Sequence, residues 1–327
     1  MIVYKFGYNR SMTHKKEVFI HQKFNDEDLM KKSSANWNYD TVYKLLPYAC
    51  EGENTMIFLP HIQLTYVISS GGILYDINSP GGTVSAGVVL EAESKACFGQ
   101  TKLKKGMVVF FDDRKSYSLF ISRKLKISII SFPKKTYRKL SQMLSKHNLE
   151  TIEDTDSRLS TFLSDILESF KNNPSIMENT EKQEEIETHL LEQLSILLEK
   201  QTPAQPKLTK GEKIALQIRD RIYCHISKKV TISSLAEEFR ISEQTLQNAF
   251  KSLFGFTPNR FLRHIKLNHV RQTLIHADPQ SDTIVRIANK WGFTHMGHFS
   301  RYYTDLFGEN PSVTLNRKPE EEKKTGE

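Results

Sequence analysis

The chain has 327 residues, 38% of them hydrophobic and 26% charged, which is enough apolar material for real cores and excludes a wholly disordered tail. At roughly 100–200 residues per domain, two or three domains are expected. The mean hydropathy of −0.47 and the shortness of apolar runs such as Ile127–Phe132 exclude a membrane span, and MIVYKFGYNRSMTHKK has no unbroken apolar stretch to act as a secretory signal.

Cys50, Cys97 and Cys224 form no CxxC pair, zinc spacing or disulfide framework, so a reduced, cytoplasmic protein is expected. The net charge of +8 is unevenly spread. Residues 1–149 carry 22 basic against 12 acidic side chains, 150–200 carry 4 against 13, and 201–327 carry 20 against 13. Two basic blocks thus flank an acidic one, and charge alone does not choose which block meets an acidic partner.

Residues 1–54 give a weak pattern, with a short helix at Asp26–Lys32. From about 55 to 133, β-rich runs follow one another at Ile62–Ile68, Ile73–Ile77, Val84–Glu91, Met107–Asp112, Tyr117–Ile121 and Leu125–Phe132. Turn residues such as Ser69-Ser70-Gly71-Gly72 and Ser79-Pro80-Gly81-Gly82 separate them, so a β-sandwich or small barrel is expected. His61 stands alone among these strands. A metal-binding cupin would cluster histidines with a carboxylate, so no metal is expected. Gly81-Gly82 reads as a turn, since no helix follows to make a phosphate cradle.

From Tyr137 the period becomes helical. Tyr137, Leu140, Met143, Leu144 and His147 share one face. Leu159, Phe162, Leu163, Ile166, Leu167 and Phe170 form a clearer stripe, and Ile186, Leu190, Leu191, Leu194, Leu197 and Leu198 a third. Such stripes fit packing on the β-domain or a homodimer through 156–200, and spacing does not choose between them. Gln201–Lys210, with two prolines and no periodicity, reads as a linker.

The C-terminal part repeats. Thr231/Thr283, Ile232/Ile284, Leu235/Ile287, Ala236/Ala288, Phe239/Trp291 and Ile241/Phe293 match at an offset of 52. After one inserted residue, Leu246/Phe299, Phe250/Tyr303, Leu253/Leu306, Phe254/Phe307, Gly255/Gly308 and Pro258/Pro311 match at 53. Each copy reads as helix, sharp turn, helix, with Arg240-Ile241-Ser242 or Gly292-Phe293-Thr294 at the corner. Gly292 suits a positive φ, Ser242 an N-cap, and Gly255 and Gly308 the helix ends. This is the helix-turn-helix pattern, whose second helix enters the major groove; the alternative is a structural hairpin. Lys213–Ser227 would be a supporting helix. Between the copies Pro258–His276 predicts a linker helix of about 27 Å, suited to holding two recognition helices near the ~34 Å repeat of DNA.

Residues of about 210–316, above all IVRIANKWGFTHMGHFSRYYTDLFGENPSVTL, resemble the AraC/XylS family of transcription regulators. TLQNAF, the linker helix and HMGHFSRYY look most like the family's ethanolamine-utilisation regulators. The resemblance implies an α+β architecture. A β-rich, cupin-like sensor at 1–136 and a helical dimerisation segment at 137–200 would precede a linker at 201–209. An all-α domain with two helix-turn-helix units at 210–317 and a charged tail at 318–327 would complete it. It also implies a bacterial, non-enzymatic activator that meets promoter DNA and RNA polymerase. No cofactor is built in; ethanolamine with adenosylcobalamin would be the effector, at a pocket the sequence does not locate. A gate by protein partner or oligomerisation, with no small ligand, is the alternative. A fused zinc-cysteine methyl acceptor finds no cysteine cluster.

By the same resemblance Gln244, Gln247 and Asn248 occupy base-reading positions. They align with Gly297, Ser300 and Arg301, with Met296 and His298 beside them. Gln and Asn suit adenine and Arg301 suits guanine, whereas Met296 offers only apolar contact. Each could instead touch phosphate or nothing. Lys228, Lys229, Lys251, Asn259, Arg263 and Lys290 are the phosphate candidates. His295 stands where the family often has Ser, so Thr294 is expected to cap that helix.

Overall fold

The computed structural model describes residues 19–33, 37–93, 95–146, 151–173, 176, 179–200, 208–224 and 230–317. They form two units. The first comprises Met1–Val42 and Tyr48–Lys207; the second comprises Leu208–Glu327 together with the short early segment Tyr43–Pro47.

The first unit contains β1 (Phe19–Phe24), α1 (Glu27–Ser33), β2 (Asn38–Lys44, its end entering the second unit), β3 (Glu51–Phe58), β4 (Gln63–Ser70) and β5 (Ile73–Asn78). β6 (Thr83–Ala92), β7 (Ala96–Phe98), β8 (Thr101–Lys102), β9 (Met107–Asp112), β10 (Tyr117–Ile121) and β11 (Lys124–Pro133) follow. Then come α2 (Arg138–Lys146), β12 (Thr151–Glu153), α3 (Arg158–Asn172) and α4 (Thr180–Lys200). Among the described residues, β1-β3-β4-β11-β6-β9-β12 make one sheet and β2-β5-β10-β7-β8 a second.

Three layers result. Val89, Met107, Val109, Phe111, Ile127 and Ile129 of the larger sheet meet Ile73, Tyr75, Phe98, Leu119 and Ile121 of the smaller. The rings of Trp37, Phe98, Phe111 and Tyr117 interlock there with centroids 5.1–5.4 Å apart. The alternate residues of the larger sheet, including Val84, Ala86, Val88, Val108 and Phe110, face α3 and α4. Both faces of this sheet are covered. Its strands therefore read as continuous apolar runs such as Met107-Val108-Val109-Phe110-Phe111 rather than as alternating ones.

The stripes of α3 and α4 enter this chain's own core. Leu159, Leu163, Ile166, Leu167 and Phe170 pack with Leu190, Leu194, Leu197 and Leu198 in one cluster with the sheet. The Tyr66 hydroxyl donates to the Leu163 carbonyl at 2.5 Å, and Asp154 caps α3 by accepting from the Ser160 amide and hydroxyl. Glu187, buried on α4, accepts from the Tyr137 hydroxyl and from the His61 amide at 2.9 Å, and pairs with His61 Nδ1 at 3.1 Å. Burial, then this carboxylate, pushes the Tyr137 phenol well above its ordinary range.

The structure corrects several expectations. β1, β2 and β3 lie in or across the first 54 residues, where the pattern was weak. β12 lies inside the expected helical segment 137–200, paired with β9. His61 occupies the turn between β3 and β4 rather than a strand. The 201–207 part of the linker, His147 and the tail 318–327 lie outside the described residues.

The second unit is helical beyond Tyr43–Pro47: α5 (Lys210–Cys224), α6 (Ile232–Glu238), α7 (Glu243–Phe254), α8 (Pro258–Ile275), α9 (Ile284–Lys290), α10 (Met296–Phe307) and α11 (Pro311–Leu315). Thr209 and Glu212 form a capping box at the start of α5. No helix of the described residues is long and apolar enough to cross a membrane, and no group of three His, Cys, Asp or Glu among them could hold a metal ion.

Candidate nucleic-acid interface

Two helix pairs, α6–α7 and α9–α10, are built on one plan. Thr231 starts the first pair by accepting from the Ser234 amide, and Thr283 starts the second by accepting from the Arg286 amide. At the corner the Ile241 amide donates to the Ala236 carbonyl at 2.9 Å, and the Phe293 amide to Ala288 at 3.1 Å. The residue before each takes a positive φ: Arg240 at 51° and Gly292 at 89°. The turn thus demands left-handed backbone in both copies, and only one copy supplies glycine. Ala236 and Ala288 are buried, and Gly255 and Gly308 end the second helices at φ 84° and 75°.

The second helices bury one face and expose the other. Leu246, Ala249, Phe250, Leu253 and Phe254 are buried on α7, and Phe299, Tyr303 and Leu306 on α10. The Tyr303 phenol bonds to Thr314 on α11, and burial pushes it up to about 12. The opposite faces carry the expected reading residues. Gln244 and Asn248 are exposed and Gln247 is half-buried; Gly297, His298, Ser300 and Arg301 are exposed, while Met296 is half-buried against the core of the second pair.

The start of α7 is capped, since the Ser242 hydroxyl accepts from the Thr245 amide at 3.1 Å. The start of α10 departs from expectation. Its N-cap is His295, with no side-chain cap bond, and Thr294 does not replace it. A ring at this position does not bring an acceptor oxygen back to the amides of the first turn, as Ser does.

On α7 the Gln244 amide donates to Asn248 Oδ1 at 3.0 Å. On α10 Arg301 reaches His298 Nδ1 at 3.3 Å, and His298 stacks on Tyr302. Arg301 lies 5.5 Å from the Tyr302 ring, and Arg263 of α8 lies 4.1 Å from it. These contacts order the long side chains before any partner arrives.

Among the phosphate candidates, Lys251, Asn259 and Lys290 are exposed at α7, α8 and α9. Arg263 is half-buried on Tyr302, with a buried Nε lacking a hydrogen-bond partner, so it is not a freely extended surface cation. Lys228 and Lys229 lie outside the described residues. Sequence reasoning missed Tyr302. The available signal was its place four residues after His298, which puts its ring beside that imidazole on a helix.

Residues 235–317 match the family described as a helix-turn-helix domain. The chain is 35% identical over 100 residues to a probable thc operon regulatory protein of Rhodococcus erythropolis, covering 31% of this chain and 30% of that one. It is 33% identical over 93 residues to a XylDLEGF operon transcriptional activator of Pseudomonas putida, covering 28% and 29%. The matches thus span less than a third of these relatives, which are regulators rather than enzymes. The solved structure of the AraC-like transcriptional activator CuxR is similar at 12% identity with a TM-score of 0.45, covering 84% of this chain and 99% of that one.

Proposed function

We propose that this chain, which carries a helix-turn-helix DNA-binding domain of the AraC/XylS family, is a sequence-specific transcription activator that reads two adjacent major-groove segments with α7 and α10. The observation that carries the reading is the repeated corner. Two helix pairs close their turns with the same hydrogen bond, and each exposes polar side chains on the outer face of its second helix. A purely structural hairpin needs neither the exposed Gln244 and Asn248 nor the exposed His298 and Arg301.

In this reading Gln244, Gln247 and Asn248 favour adenine in one segment, and Arg301, with His298 and Ser300 beside it, favours guanine in the next. Lys251, Asn259 and Lys290 hold the backbone. The first unit senses an effector, and RNA polymerase is the downstream partner in the cytoplasm.

Ethanolamine with adenosylcobalamin is the effector pair the DNA-binding half suggests. The described residues of the first unit do not fit a corrinoid between the sheets, because interlocked rings fill that space. An open cleft of about 980 Å³, lined in part by Lys23, Phe24, Glu51, Arg123 and Lys124, suits a smaller polar ligand. The filled sandwich favours a second reading, in which a protein partner gates the regulator and no small molecule enters the sheets.

The test is selection of binding sites by the full chain from random duplexes, followed by anisotropy titrations at several salt concentrations. A single enriched motif with two separated blocks supports the reading. Salt-sensitive binding without an enriched motif would reduce the chain to a nonspecific DNA binder. Titrations repeated with ethanolamine and adenosylcobalamin separate the gating models: a response to both supports that effector pair, and indifference favours the partner gate.

A further inference from the structure

Tyr43–Pro47 belongs to the second unit although it lies some 160 residues earlier in the chain than α5. Its seat is built from buried polar groups. The Lys44 amide donates to Asn268 Oδ1 at 2.9 Å, and Asn268 Nδ2 donates to the Lys44 carbonyl at 2.7 Å. One side-chain amide thus satisfies both backbone groups of a residue, as a neighbouring strand would. His264, one turn earlier on α8, bonds through Nδ1 to the Leu45 carbonyl at 2.6 Å. A carbonyl only accepts, so the proton sits on Nδ1. His264 and Asn268 are each 6% exposed, and Leu45 is fully buried.

These residues answer no need of the helix pairs themselves. A linker helix that served only as a spacer would place apolar side chains at 264 and 268, since a buried imidazole or amide costs stability unless bonded. Their bonds go largely to the early segment, although Asn268 also donates to the His264 carbonyl at 2.8 Å.

Tyr43 extends the seat to both helix pairs. Its hydroxyl bonds to His269 Nε2 at 3.0 Å, and its ring meets that of Tyr223 on α5 edge-on at 5.1 Å. α5 packs along α7. His269 stacks on Trp291, the C-cap of α9, with ring centroids 4.4 Å apart and planes 14° from parallel. The supports of both recognition helices are therefore keyed to one tyrosine.

We propose that Tyr43–Pro47 is a strap that fixes α7 and α10 in relative register, with His264, Asn268 and His269 as its positioning residues on the linker helix. The inference rests on the DNA-reading function proposed above. The chain enters the strap through β2 and leaves it into Tyr48 and Ala49, which line the open cleft of the first unit. The strap is thus joined covalently to the first unit at both of its ends, in addition to the crossing between Lys207 and Leu208.

The test uses the full chain, a duplex bearing both selected blocks and a duplex bearing one. Asn268→Ala frees the Lys44 amide. Hydrogen exchange at 43–47 is expected to rise about tenfold or more, and affinity for the two-block duplex to fall about tenfold. Affinity for the one-block duplex stays within about twofold, because each helix pair is intact. Val270→Ala, which thins the same buried helix away from the strap, weakens binding to both duplexes in proportion. Equal losses on both duplexes for Asn268→Ala, or faster exchange with unchanged two-block affinity, would overturn the proposal.

If Asn268→Ala does not fold, Tyr43→Phe removes only the hydroxyl. It should shift the same ratio in the same direction; an unchanged ratio counts against the strap. If the wild-type chain shows no sequence preference, the function proposed above fails instead. Exchange at 43–47 then judges the seat alone, and no change in Asn268→Ala removes it.

Discussion

The two helix pairs reach the same corner by different chemistry. In the first, Ser242 caps α7, and Gln244 holds Asn248 through an amide bond along the helix. In the second, α10 starts uncapped at His295, while Arg301 and His298 lean on Tyr302, itself under Arg263 of the linker helix. One pair is organised within its own helix, and the other is organised partly by its neighbour. The exposed face of α7 carries the neutral amides of Gln244 and Asn248, and that of α10 carries Arg301 and His298. The conserved element is thus backbone geometry, closed by the same amide-to-carbonyl bond, and the exposed chemistry diverges upon it.

The largest expected effect tests whether both pairs are needed. Phe250→Ala and Phe299→Ala each empty a buried site and should each cost about 3–5 kcal/mol of stability in the second unit, read by denaturant unfolding. Each should abolish two-block binding. Survival of tight binding in Phe299→Ala would make the second pair a structural hairpin.

Acid should strain the linker helix that both pairs share. Burial, reinforced by Arg260 and Arg263 and opposed by the bond to the Leu45 carbonyl, lowers the His264 pKa to about 4. The unfolded chain binds a proton below about pH 6.5, and the folded chain resists until about pH 4. Stability from this group is complete above the unfolded value and is lost as pH falls across that window, by about 3 kcal/mol. Burial lowers the His269 pKa as well, in the same direction. Urea unfolding of wild type and His264→Gln at pH 7 and 5 checks this: the variant should lose less on acidification.

Reading residues come next. Arg301→Ala should cost about 1–3 kcal/mol of DNA binding and relax sequence preference in one block, and Gln244→Ala should do the same in the other. Anisotropy on duplexes altered in one block at a time separates the two. Relaxation of both blocks by either variant would contradict the assignment.

The caps offer a smaller and opposed pair. Ser242→Ala should destabilise by about 1 kcal/mol, and His295→Ser should stabilise by a similar amount, since the second pair lacks the bond that the first has. Smallest is Arg240→Gly. It relieves left-handed strain at φ 51° but frees the unfolded chain, leaving a gain of about 0.5 kcal/mol or less. Thermal melting resolves both sets.

The sequence disclosed the second unit better than the first because its signals are local. Caps, corner residues and a 3.6-residue period all act within one or two turns, so Ser242, Gly292 and Pro258 could be placed directly. The left-handed Arg240 was hidden, since arginine does not advertise a positive φ. β1 and β3 were hidden because their order comes from pairing, Phe19 with Ile57 and Phe24 with Gly52, across more than 25 residues. The stripes of α3 and α4 were visible, but their destination was not; a helical period is the same whether it enters this chain's core or a partner's. The strap was the least legible. Nothing around Tyr43 marks it as a partner for Asn268, and a buried Asn on a helix declares a bond without naming its partner.

The central claim is that one chain reads two adjacent groove segments through two unlike faces. Hydroxyl-radical footprinting of the full chain on a selected duplex tests it most directly. Two protected blocks are expected about one helical turn, ~34 Å, apart on one side of the DNA, with Gln244→Ala thinning one and Arg301→Ala the other. A single protected block, touched by only one of the two variants, would contradict it.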